Sequence, residues 1–258
     1  MFIDKCKVYL LHASYMDSTG VHQFLKDEGV GKSETYTDAT SPDTIPEVAG
    51  RVCYMSFANP RPGGNKAYLD NILKQGHGSV LEHSTIGLIL TGISRSCSHE
   101  LVRHRAGFAF SQLSQRYVDS KDVAFIVPHE LQRPENATSL SEFRKRCLDA
   151  RDDYDNLSQA LLPQALTFTT EMRKQARQAA RSILPNATET KMVVSANVRA
   201  WRHFIELRGS PGAEPEIRKL AKAVFDVVAA ESPNLFADYT WTPHTDGTQT
   251  VQTPHRKV

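Results

Sequence analysis

The chain has 258 residues, a formal net charge of +2, 40% hydrophobic and 23% charged residues, the balance of an ordinary globular protein. No apolar run approaches the roughly 20 residues that span a bilayer, so no membrane partner is expected. Near-neutrality argues against a dedicated nucleic-acid binder, which would be strongly basic.

Taken in chain order, the opening "MFIDKCKVYLLHAS" is apolar but carries Asp4, Lys5 and Lys7 and lacks a small-residue cleavage site. It predicts a strand over Lys7 to His12 and not a signal peptide. A polar stretch with Gly and Thr runs on to about Pro46. "PEVAGRVCYMSF" predicts a helix with Val48, Val52 and Met55 on one apolar face. "GGNKAYLDNILKQGHGS" predicts a helix stopped by Gly76 and Gly78. "STIGLILTGIS" is β-branched and short, hence a strand. "SRSCSHELVRHR" repeats Ile93, Cys97 and Leu101 every four residues, hence a helix.

"VAFIVP" predicts a further strand. Ser139 to Leu184 reads as mostly helical and charged, broken or kinked at Pro163. "ETKMVVSANV" fits strand or helix. "NVRAWRHFIELR" and "PEIRKLAKAVFDVVAAE" predict two helices. The tail after Pro233 is polar and reads as flexible over 234–258. With no repeat and no linker, the expectation is one α+β domain over 1–258. It would have a mainly antiparallel sheet flanked by helices, and a long helical region in the second half. The cysteines Cys6, Cys53, Cys97 and Cys147 are dispersed without a CxxC pair. They predict reduced, buried thiols of a cytoplasmic protein, with no disulfide framework and no metal site.

The positive charge is local. "RHRAGFAFSQLSQRY" places Arg103, His104, Arg105 and Arg116 together without a carboxylate. On a continuous helix Arg103 and Arg105 would lie about 200° apart, so one ligand could use both only if the helix ends there. Gly107 and the aromatic residues after it predict that end. Read alone, the cluster is a cationic last turn favoured by the helix dipole. With "SQLSQR" it becomes a serine, amide and arginine set suited to phosphate.

Neither common nucleotide-binding loop is present. "HELVRH" lacks the histidine spacing of a zinc protease, and no GxSxG elbow occurs. In "NVRAWRHFIELR", Asn197 and Arg208 fall within about 20° of one face, yet polar and apolar residues alternate around the wheel. That pattern suits either a solvated Arg-rich helix or one packed between partners.

"RHR" followed by eight residues and Ser114 in "SQLSQRY" resembles the signature of the flavin-dependent thymidylate synthases. "GHGSVLEH", "SRSCSHELVRHR", "ARSILP" and "NVRAWRHFIELR" are similar to further family segments, in the same order, over roughly Ala49 to Ala230. The resemblance implies methylation of dUMP to dTMP. Methylenetetrahydrofolate would donate the carbon, and FAD reduced by NADPH the hydride. It also implies a homotetramer with shared active sites.

By position, the resemblance assigns FAD contacts to His77, Ser79, Glu82, Arg103, His104, Arg105, Gln112, Asn197, Val198, Arg199 and His203. It assigns dUMP contacts to Glu100, Arg103, Gln112, Leu113, Ser114, Gln115, Arg116, Arg181 and Arg208, with Ser114, Arg116 and Arg181 on the phosphate. Arg208 would sit against the uracil as a fixed cation that stabilises developing negative charge, and no cysteine would serve as nucleophile. The family's commonest spacing from "RHR" to the serine is seven residues, and many members carry a histidine where this chain has Gly212. Two other readings are an RNA-binding protein using Arg95, Arg103, Arg105 and Arg116, and a flavoprotein of the same fold that does not methylate.

Overall fold

The computed structural model describes residues 1–30, 39–163, 167–256 and 258. Its elements run β1 (Phe2–Ile3), β2 (Lys7–Ala13), α1 (Ser18–Asp27), α2 (Ser41–Tyr54), α3 (Gly64–Lys74), β3 (Thr85–Ser94), α4 (Arg95–Leu101), β4 (Phe108–Gln112) and β5 (Phe125–Ile126). Then follow α5 (Ala137–Ala160), α6 (Thr170–Ala180), β6 (Glu189–Asn197), α7 (Val198–Arg208), α8 (Pro215–Glu231), β7 (Thr240–Pro243) and β8 (Gln249–Gln252). Parts of the polar stretch (31–38), of the helical region after Pro163 (164–166) and of the tail (257) lie outside the described residues.

The fold is α+β, as expected, with an antiparallel four-stranded sheet in the order β2-β3-β6-β4. The chain forms two compact units, one of Met1–Lys7, Leu90–Arg103 and Ser111–Val193, the other of Val8–Ile89, His104–Phe110 and Val194–Val258. It passes from one to the other within β2, β3, β4 and β6 and in the turn after α4.

In the first unit β1 pairs in parallel with β5. Phe2 packs on Phe125 and Phe143. Tyr154 of α5 is fully buried, and its hydroxyl accepts from the Ser120 N–H. Ser94 caps α4 by accepting from the Cys97 N–H at 2.9 Å, and the helix stops at Leu101, so "RHR" lies in the turn beyond it. The helix does end in this region, but at Leu101 and not at Gly107 as the sequence predicted. Only Cys97 and Leu101 of the predicted stripe belong to the helix; Ile93 is in β3. β6 takes the strand alternative, burying Thr190, Met192, Val194 and Ala196 at period two.

In the second unit α7 buries Trp201, Phe204 and Ile205 completely, and the Trp201 indole N–H donates to the Ile86 carbonyl at 2.9 Å. Residues 240–252 of the tail form the antiparallel β7–β8 hairpin. The hairpin buries Val251, and its Gly209-side backbone pairing ties it to the end of α7.

The helix predicted from "PEVAGRVCYMSF" is correct but its predicted face is inverted. α2 buries Asp43, Thr44, Glu47 and Arg51, while Val52, Tyr54 and Met55 are exposed. The cause is a closed polar network. Glu47 takes Arg51 at 2.7 Å and the Asn65 amide at 2.7 Å, while Asp43 accepts from the Asn234 and Leu235 N–H groups and the Ser232 hydroxyl. Buried polar groups that satisfy one another no longer favour solvent. Rotating α2 this way also exposes Cys53, and Cys6 is half-buried, so only Cys97 and Cys147 are the buried thiols expected. α1 and β4 fall in stretches read from the sequence as irregular.

Candidate active site

In the second unit, a cavity of about 360 Å³ opens beside α2 and the turn after α3. His77, Ser79 and Arg199 line it, together with Cys53, Tyr54 and Gly78. Arg199 donates to Glu82 at 2.6 Å, and both side chains are partly exposed. The guanidinium lies flat on Gly78. A Cβ there would meet Arg199 Nε at 2.8 Å, closer than such contacts allow. The wall thus combines a hydroxyl, an imidazole and a guanidinium on an apolar floor, the mixture found in sites for large polar cofactors.

The same unit holds His104, in the turn after α4. It is 8% exposed and ringed by Phe108, His203 and Phe204 at centroid distances of 6.0, 6.0 and 5.3 Å. Arg208 Nε donates to its Nε2 at 2.9 Å. An arginine Nε can only donate, so His104 Nε2 is unprotonated. Burial first, then the charges of Arg208 and His203, lower the His104 pKa from 6.5 to about 4, and the ring is neutral near pH 7. Gly107, at φ +75°, supplies the left-handed turn that lets β4 start. Its bare Cα faces the Asn197 amide, which a Cβ would meet at 2.7 Å.

The first unit carries a second cluster. Ser114 opens a turn in which its carbonyl accepts from the Val118 N–H and its Oγ from the Arg116 N–H. Arg116 Nε is buried and finds no hydrogen-bond partner among the described residues. Burial, and after it the nearby charge of Arg181, pull the Arg95 pKa below its ordinary value. An anion would relieve the like-charge pair of Arg95 and Arg181, and separately would satisfy the orphaned Arg116 N–H.

A family model described as "Thymidylate synthase complementing protein" matches residues 35–234. A protein named flavin-dependent thymidylate synthase from Mycobacterium sp. strain JLS is 46% identical over 226 residues, covering 84% of this chain and 88% of its own. Another of that name, from Mycobacterium tuberculosis strain ATCC 25177 / H37Ra, is 46% identical over 223 residues with the same coverage. The chain belongs to the flavin-dependent thymidylate synthase family. Crystal structures of the UMP/dUMP methylase PolB from Streptomyces cacaoi, bound with 5-Br UMP or 5-Br dUMP, share the fold. Their TM-scores are 0.66 and 0.65 at 19% and 18% identity, with 92% of this chain and 94% and 95% of theirs covered.

Against the residues that the thymidylate synthase resemblance assigned, the structure is selective. His77, Ser79 and Arg199 share the cavity, with Glu82 joined to it through Arg199. Arg103, Arg105 and His203 are exposed. Asn197 is the N-cap of α7, its Oδ1 accepting from the Ala200 N–H at 2.8 Å. Val198 is fully buried, with its N–H on the Ser84 carbonyl. Gln112 donates to Ser98 and Thr190. Leu113 donates its N–H to the Lys191 carbonyl, Gln115 is buried and Glu100 half-buried. Sequence reasoning missed Gly78, Cys53 and Tyr54 as cavity residues, and Arg95 as a neighbour of Arg181. Had the polar face of α2 been recognised as the buried one, its outward residues Cys53 and Tyr54 would have been candidates to line a cavity.

Gly78 gives a direct test of the cavity wall. In Gly78→Ala the new methyl pushes the end of a flexible side chain, not backbone. The melting temperature is therefore expected to stay within about 2 °C of the parent: Gly78 is buried, but the group that must move is the partly exposed Arg199 end, a shift of about 0.5 kcal/mol or less. Flavin retained after gel filtration is expected to drop several-fold. A variant that keeps its full flavin content would show that Arg199 is not a flavin contact.

Proposed function

We propose that this protein methylates dUMP at C5 of the uracil to give dTMP, with methylenetetrahydrofolate supplying the carbon and FAD, reduced by NADPH, the hydride. Family membership supports the reaction class, and the PolB structures bound with 5-Br UMP and 5-Br dUMP support a pyrimidine monophosphate as substrate. The observation that carries the reading is the buried Arg116 Nε, which has no partner among the described residues and lies in the turn opened by Ser114, a donor that suits the dianionic phosphate of a mononucleotide. Arg116 Nε and the Arg181 guanidinium bind phosphate oxygens, and the Ser114 hydroxyl adds a further hydrogen bond.

The cavity at His77, Ser79 and Arg199 fits a flavin nucleotide: its apolar floor suits a planar ring and its guanidinium a pyrophosphate. Bound FAD would supply the hydride that completes the methyl group. Arg208, permanently charged, stabilises negative charge as it develops on the uracil and so raises the carbon nucleophilicity of C5. Cys147 is unsuited to nucleophilic attack, since burial pushes its thiol up to about 11.

On this reading the protein works in the cytoplasm as a homotetramer with active sites shared among chains. Exposed Tyr9, Leu10 and Leu11 on β2 and Tyr54 and Met55 at α2 support an assembly that covers them. A monomer mass by light scattering would remove the shared-site element. The purified protein is expected to be yellow and to form dTMP from dUMP, methylenetetrahydrofolate and NADPH, with dUMP accelerating the bleaching of its flavin. A colourless protein that shifts RNA in low salt would overturn the proposal. A yellow protein that never forms dTMP would favour the non-methylating flavoprotein.

A further inference from the structure

We propose that His104 is the positioning residue for Arg208: its neutral imidazole Nε2 holds Arg208 Nε and thereby fixes the edge that the guanidinium presents to the substrate. The inference deepens the reading above and rests on it.

Three observations carry it. The Nε–Nε2 distance is 2.9 Å, a full hydrogen bond. His104 is itself immobilised, being 8% exposed and packed edge-on against Phe204, with Phe108 on another side. Arg208 is the half-buried last residue of α7, which brings its guanidinium to the turn that carries His104. A guanidinium is a rigid fork, so anchoring Nε at one point sets the direction of both Nη groups.

Such pre-setting matters because an electrostatic catalyst works by not having to reorganise, and a displacement of about 1 Å can cost about 100-fold in rate. Neutrality is part of the device. A protonated imidazole could not accept this bond and would repel the guanidinium. The aromatic surround and the Arg208 charge itself both keep the proton off. The "RHR" segment thereby splits in function: Arg103 and Arg105 are exposed, while the histidine between them turns inward.

The test uses His104→Leu, which keeps bulk without an acceptor, and His104→Gln, whose carboxamide oxygen reaches the place of Nε2. In flavin-loaded protein, His104→Leu is expected to lower kcat for dTMP formation 10- to 100-fold, with flavin content and KM for dUMP within about threefold of the parent. His104→Gln is expected to recover most of that loss. In flavin-free protein labelled with 15N-arginine, the Arg208 Nε–H resonance is expected to be protected from solvent exchange in the parent and in His104→Gln. That protection should be lost in His104→Leu.

If His104→Leu fails to fold, His104→Asn, one methylene too short to reach, replaces it in the same comparison. Equal kcat in the acceptor and non-acceptor variants, or an Nε–H equally exchangeable in all of them, overturns the proposal. A loss confined to flavin content does so too, by making His104 a cofactor ligand. A parent enzyme that forms no dTMP but keeps the protected Nε–H would instead sink the function proposed above and leave the hydrogen bond standing.

Discussion

Asp238→Ala is expected to lower the unfolding free energy by about 3–5 kcal/mol, the cost of leaving a buried charge without its partner. Arg202 of α7 is 1% exposed. It donates bidentately to Asp238, Nη1 to Oδ1 at 2.7 Å and Nη2 to Oδ2 at 2.9 Å. Nη1 also donates to the Leu235 carbonyl, the Thr253 hydroxyl donates to Asp238 Oδ2, and the Tyr239 ring stacks 4.8 Å from the guanidinium carbon. Burial alone would pull the Arg202 pKa down and the Asp238 pKa up. The ion pair wins, and the net directions are up for Arg202 and down for Asp238.

Because the folded pKa of Asp238 lies below its ordinary value of 3.8, the pair's contribution is fully present above that pH. It is lost as acidification carries the carboxylate through its folded pKa. Urea unfolding at pH 7 with an unchanged m-value is the measurement. A loss under 1 kcal/mol would mean that Arg202 finds other acceptors on relaxing. The consequence reaches function, because this pair ties the hairpin-side segment to the helix that carries Arg199, His203 and Arg208.

Arg208→Ala is expected to lower kcat for dTMP formation by about 10²–10³-fold, equivalent to roughly 2.7–4 kcal/mol, the range for removing one fixed charge-stabilising group. Folding should survive, since the His104 acceptor that loses its donor is uncharged, and an uncharged acceptor is cheaper to strand than a charge. Arg208→Lys is expected to recover little. An ammonium lacks the Nε–H that meets His104 at 2.9 Å and the planar fork that presents two donors together. The effect should fall on kcat more than on KM for dUMP, because phosphate binding is assigned to Ser114, Arg116 and Arg181. An Arg208→Ala enzyme within threefold of the parent kcat would remove Arg208 from the mechanism. A change confined to KM would make it a binding residue.

Local pattern settled much of this protein. The β-branched run of β3 and the helices α7 and α8 followed from the residues themselves. Hydrophobic period, caps and breakers act over a few positions. The motif blocks also brought out His77, Ser79 and Arg199, which share one cavity although more than a hundred residues separate them.

Tertiary structure decided the rest, where a residue's environment comes from distant chain. The apolar stripe of α2 pointed outward because Asn65 and residues 232–235 satisfy its polar face. The polar tail became a hairpin through its pairing and its contact with Gly209. The sense of β6 was open until it paired between β3 and β4. His104, read from its motif as a cofactor contact, faces Arg208 because a turn and a helix end far apart in sequence meet around a ring of aromatics. Short-range periodicity carries no information about which polar groups will find each other.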